Sequence, residues 1–286
     1  MALAFALGMS SCAVRQVSHI PPPQISAPAL TASAADLVKD LNGWSAKVDT
    51  LEGVVRFHTS ATFKRAGITK EYHVIRGYIL LKKPSMIRIQ GQAPVVRTEI
   101  FDMVSDGRQF RLSIPPKNLF LIGRDNYRGP RKPGLENLRP QHVLEALLIP
   151  PVEPTEEYFV EEDDRGGRSY YVLTVVKPGG DGALKLARKI WFDRTDLRVA
   201  RAEIYGAGGR LEEDVTYSNY GDFQGISYPS DIKLRRPEEG YRLSIQFQKI
   251  IFNEEISPEK FELPAPANAK IIQLNAVKLQ EAPSDR

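Results

Sequence analysis

The sequence predicts a mainly β (α+β) fold: one curved antiparallel sheet forming an unclosed β-barrel, with helices covering the open mouth. Three observations predict it. Residues 185–253 hold five runs of alternating apolar and polar residues, separated by the turn signals DRTD, GAGG, NYGDFQG and PEEG. Strands joined so closely can only be antiparallel neighbours, because a parallel crossover needs roughly a dozen residues or more. In the last run Leu243, Ile245, Phe247 and Ile251 share one parity, with Lys249 breaking it, and Arg242, Ser244, Gln246 and Gln248 share the other. One face is therefore apolar and one wet. Similar runs upstream bring the count to about thirteen strands, and sheets beyond about ten tend to curl or split. The apolar face of such a sheet must be covered.

The elements follow in order. The opening run MALAFALGMSSC is too short to span a bilayer. Residues 1–12 read as a signal peptide without its usual basic start. The segment GMSSC resembles a bacterial lipobox, which would make Cys12 the lipidation site and give an N-terminal lipid anchor. Cys12 is also the one cysteine, so no internal disulfide can form. Residues 13–34, rich in proline, serine and alanine, read as an extended tether.

From residue 34 the pattern becomes helical, with Leu37, Leu41, Trp44, Val48 and Leu51 on one stripe. Ser33 is the expected N-cap with Asp36 completing a capping box, and Gly53 the expected exit. Strands are expected at 52–63, 71–82, around Met86–Ile89, at 95–104, 109–114 and 118–122, with Asp106-Gly107 as a hairpin turn. Residues 123–140 read as a basic loop, either a solvated excursion or a contact with lipid headgroups. A short helix is expected over 140–148, opened by Pro140 and stopped by Pro150-Pro151. Two strands near 158–162 and 168–176 lead into the five-stranded meander, and an edge strand is expected near 270–274.

The 286 residues are 42% hydrophobic and 26% charged, enough for a sizeable core. A net charge of +4 is too small to argue for nucleic acid. His19, His58, His73 and His142 have no metal-ligand spacing, and no GxSxG, Walker A or GxGxxG motif occurs. Neither a cofactor nor a metal is expected. Arg235-Arg236 reads as a solvated strand edge.

The segments WFDRTDLRVARAEIYGAGG, YSNYGDFQGISYPSDIKL and FNEEISPEKFELPAP, with the lipobox, tether and helix order, resemble the Lol-type bacterial lipoprotein carriers and receptors. The resemblance covers roughly residues 35–266, leaving 267–286 as a C-terminal extension. It implies an unclosed barrel whose apolar interior accepts lipid or lipoprotein acyl chains. Phe57, Phe63, Ile79, Leu81, Ile89, Phe101, Val143, Leu147, Trp191 and Phe247 would line that cavity. Ala93, Pro94, Val95 and Val96 would form a membrane-facing loop. Ala13 after the cysteine implies retention in the outer membrane, facing the periplasm. An envelope protein partner is the further expectation. The competing readings are a non-enzymatic interaction or sensor module with a filled pocket, and a hydrolase whose site the sequence does not assemble.

Overall fold

The computed structural model describes residues 29–63, 68–93, 95–125, 127, 138–165, 167–180 and 182–274. The signal peptide, Cys12 and nearly all of the tether lie outside them, as does most of the 123–140 loop. The helices are α1 (Ala34–Ala46) and α2 (Pro140–Leu147). The first six strands are β1 (Thr50–Phe63), β2 (Ile68–Lys82), β3 (Met86–Gln92), β4 (Glu99–Ser105), β5 (Gln109–Ile114) and β6 (Leu119–Arg124). After α2 come β7 (Glu157–Arg165), β8 (Arg168–Pro178), β9 (Leu184–Asp193), β10 (Val199–Tyr205), β11 (Leu211–Phe223), β12 (Ile226–Arg236) and β13 (Tyr241–Phe252), with β14 (Lys270–Gln273) last.

All fourteen strands form one sheet, in the order β14-β6-β5-β4-β3-β2-β1-β13-β12-β11-β10-β9-β8-β7. Two meanders, β1–β6 and β7–β13, join where β1 pairs antiparallel with β13. The expected antiparallel sheet is present, and the edge strand expected near 270–274 is β14, which pairs parallel with β6.

Local chemistry sets the element ends. Ser33 caps α1: its side chain accepts from the Asp36 backbone N–H at 3.2 Å, while Asp36 accepts from the Ser33 backbone N–H at 3.0 Å. The helix stops at Ala46, earlier than the apolar stripe suggests, because Val48 and Leu51 belong to the turn and to β1. Asn253 shapes that turn. Its side chain accepts from the Asp49 backbone N–H at 2.8 Å and donates to the Lys47 carbonyl at 2.8 Å. The β1–β13 register shifts between Val54 and Val55, skipping Gln248. This bulge turns Ile250 and Phe252 inward, where they are buried, in place of the expected Ile251.

The concave face of the first meander is filled by phenyl rings lying on strand glycines. Phe57 covers Gly77 and Phe101 covers Gly91, and a methyl group on either glycine would come within 2.2 Å or 2.3 Å of the ring above it. Phe247 over Gly53 and Phe110 over Gly123 repeat the arrangement. The convex face here is strapped by the chain after β13. Lys82 Nζ donates to the Ile256 carbonyl at 3.0 Å, and Arg88 Nη1 to the Lys260 carbonyl at 2.8 Å. Leu263 packs on Val104 and Phe120. No helix among the described residues is long and apolar enough to cross a membrane.

Candidate functional site

Both helices lie across the concave face, and two tyrosines hold α2 there. The last carbonyls of a helix lack intrahelical partners. Tyr217 donates its hydroxyl to the Ala146 carbonyl at 3.0 Å, and Tyr228 to the Leu147 carbonyl at 2.9 Å. Both phenols are fully enclosed, and burial pushes their pKa values well above the ordinary tyrosine range. They are hydrogen-bond donors at any physiological pH. α1 is fixed by Trp44, whose indole stacks on Tyr228 at 5.9 Å and donates to the Ser227 carbonyl at 2.9 Å. Asn42 adds a two-bond pairing with the backbone of Val152, at 2.8 Å and 3.0 Å.

Between these helices and the second meander lie two partly open cavities. One cavity of about 170 Å³ lies under α1, walled by Leu41, Trp44, Phe192, Leu197 and Tyr220, with Ile149 and Tyr217 at one end. Its surface is mostly apolar. Asp40 and Arg198 border it, and the Arg198 guanidinium sits 5.3 Å above the Tyr220 ring. The buried Ser227 hydroxyl, also on its wall, has no hydrogen-bond partner among the described residues. A second cavity, also about 170 Å³, lies beyond Ile149 and Tyr217, which wall both. Here Ala202, Ile204 and Val215 meet Glu145, Lys177 and Arg188.

Beside the second cavity, Glu213 and Arg236 form an ion pair at 2.9 Å, both side chains almost wholly buried. Arg236 also holds Glu239 at 3.1 Å. Burial pushes the Glu213 carboxyl up to about 8, against the pull of the Arg236 guanidinium. Arg236 is therefore no solvated strand edge. Its acidic partner on β11 turns to the same inner face, which neither residue's own strand reveals. Arg235, one residue earlier, faces outward and pairs with Asp214 at 2.6 Å.

Of the residues expected at a cavity, Phe57, Ile79, Leu81, Ile89, Phe101, Val143, Leu147 and Phe247 share one buried core. Leu147 alone borders either cavity described here. Trp191 alternates to the outer face of β9, where its indole donates to Asp163 at 3.2 Å and Arg201 lies 5.0 Å above its ring. The Phe63 side chain lies outside the described residues. In the β3–β4 loop Val95 and Val96 are 89% and 72% exposed, and Ala93 is half-buried. Pro94 lies outside the described residues. The residues that do wall the cavities include Trp44, which the α1 stripe points inward, and the aromatics Phe192, Tyr217 and Tyr220 of β9 and β11.

A family model described as "Uncharacterized protein" matches residues 152–265. No curated protein matches the chain. Among solved structures, the chain is similar to a DUF1329 family protein from Desulfovibrio piger, with 14% identity and a TM-score of 0.55 over 80% of this chain and 95% of that one. It is similar to a LolA superfamily protein from Nitrosomonas europaea, with 14% identity and a TM-score of 0.50 over 82% and 99% of the two chains. A domain described as belonging to an outer membrane lipoprotein-sorting protein from Vibrio parahaemolyticus gives 12% identity and a TM-score of 0.50 over 80% and 95%. The fold is the Lol-type unclosed half-barrel.

Proposed function

We propose that this protein binds an acyl chain of a lipid or lipoprotein in the cavity under α1, as a non-enzymatic carrier of the bacterial envelope. In this reading Cys12 carries the lipid anchor, the tether holds the half-barrel off the outer membrane, and Val95 and Val96 face the bilayer. The observation that carries it is the hollow itself: a mostly apolar cavity beneath two helices held to an open-edged sheet mainly by side chains. The likeness to LolA superfamily and lipoprotein-sorting folds supports the same reading.

Volume sets what fits. A dry cavity of about 150 Å³ accepts one benzene-sized group. The space of about 170 Å³ therefore takes the end of a chain, and a long acyl chain enters only if α1 shifts outward. The Phe-filled first meander favours a second reading, an interaction module that carries no lipid. Native mass spectrometry with lipid extraction, on the chain starting after Cys12, separates the two. A stoichiometric phospholipid or acylated peptide is expected. A protein that is empty and also refuses added lipid would fit the interaction module instead.

A further inference from the structure

We propose that the two cavities are the tail and head ends of one site, which takes a single-chain amphiphile whose polar end carries a phosphate or carboxylate. The inference rests on the lipid-binding reading and adds the ligand's class. The first cavity is mostly apolar, and the second sets charged side chains among its apolar walls. The Arg188 side chain turns inward from β9 and is held there by its Nη2, which donates to the Pro151 carbonyl at 2.7 Å and to Glu156 at 2.6 Å. Its Nε is buried without a partner. A buried donor left unmatched costs free energy that an incoming oxyanion would recover.

Lys177, exposed at the rim of the same cavity, makes no ion pair among the described residues. Glu156 balances Arg188, and Glu145 accepts from the Gln141 side chain at 3.4 Å. Lys177 thus brings a second cation to this end, beside the Arg188 guanidinium. The common walls, Ile149 and Tyr217, stand between the two spaces. A single hydroxyl bond, to Ala146, fixes the Tyr217 phenol at its tip. Displacing that ring would join the apolar space to the one that holds Arg188 and Lys177.

The test is titration calorimetry on the full chain with three probes: a monoacylglycerol phosphate, the monoacylglycerol with the same short chain, and inorganic phosphate. The phosphate-bearing amphiphile is expected to bind about tenfold tighter than the neutral one. Lys177→Gln, at an exposed position, is expected to reduce that preference to about twofold or less. Equal affinities for the two amphiphiles would overturn the head site and leave the lipid-binding reading standing. A preference that Lys177→Gln leaves intact would overturn it too. Inorganic phosphate binding as tightly as the amphiphile would make this a free-oxyanion pocket and overturn the joined site. Failure of both amphiphiles to bind would overturn the lipid-binding reading and this one with it.

Discussion

The two meanders of this sheet solve the same problem in opposite ways. Each has an apolar concave face to keep from water. In β1–β6 the face is filled from within, by Phe57, Phe101 and Phe110 seated on glycines, and the convex side is strapped by residues 254–269. In β8–β12 the face is roofed by α1 and by one side of α2, which also packs on β3 and β4, leaving two cavities, and the convex side carries an ion network of Arg201, Glu203, Asp214 and Arg235. Filling leaves that half closely packed. Roofing makes a half whose cover is held by tyrosine hydroxyls, one indole and one asparagine, contacts that can be exchanged for a ligand. A one-sheet fold can thus be scaffold at one end and container at the other.

The sharpest way to break the comparison is to hollow the filled half. Phe101→Ala removes a ring that packs on Gly91 and lies 6.3 Å from Phe57. It should cost about 3–5 kcal/mol in denaturant unfolding. A loss near that of an ordinary surface substitution would mean that this half is not tightly packed.

The buried pair beside the second cavity gives the next effect. The Glu213 carboxyl is raised from 4.5 to about 8 in the folded protein. Between those values the unfolded chain binds fewer protons than the native state, so stability falls as pH rises from about 4.5 to about 8. Glu213→Gln removes this term, and thermal unfolding across that window should show a shallower slope. Glu145, raised in the same direction, keeps the slope from vanishing. An unchanged slope would contradict the placement of a strained carboxyl there.

Tyr217→Phe keeps the ring and deletes the bond to Ala146. It should cost about 1–2 kcal/mol, because the helix carbonyl is left buried without its donor. Hydrogen exchange should show α2 opening more readily while β1–β6 stays protected. Equal loosening in both halves would deny that the roof is separately held. The smallest effect on stability is expected in the β3–β4 loop. Val96→Asp should change it by less than about 0.5 kcal/mol, yet weaken association with phospholipid vesicles. Unchanged vesicle binding would remove the loop's membrane role.

Much of the fold was legible because alternation and turn chemistry are local signals. The five-strand meander, the capping box at Ser33 and the turn at Asp106-Gly107 each depend on residues a few positions apart. What was hidden depends on partners far along the chain. The bulge at Gln248 exists only against β1 and reverses the faces of Ile250 and Ile251. Arg236 looks like surface until Glu213 is placed beside it. The candidate site was least legible for the same reason. Alternation shows that Phe57, Ile79 and Phe101 face inward, but filled and hollow interiors draw on the same residue types. Where the space lies was decided by α1, α2 and the tyrosines that hold them.

The two tryptophans of this chain allow a direct measurement. Trp44 walls the cavity under α1, and Trp191 lies on the opposite face of the sheet. Single-tryptophan chains, made by Trp191→Phe and Trp44→Phe, can be titrated with a brominated fatty acid, whose quenching needs near contact with the indole. Saturable quenching of Trp44, with Trp191 unaffected, is the result predicted by an acyl chain bound under α1. Quenching of Trp191 alone, or of both equally, would contradict it.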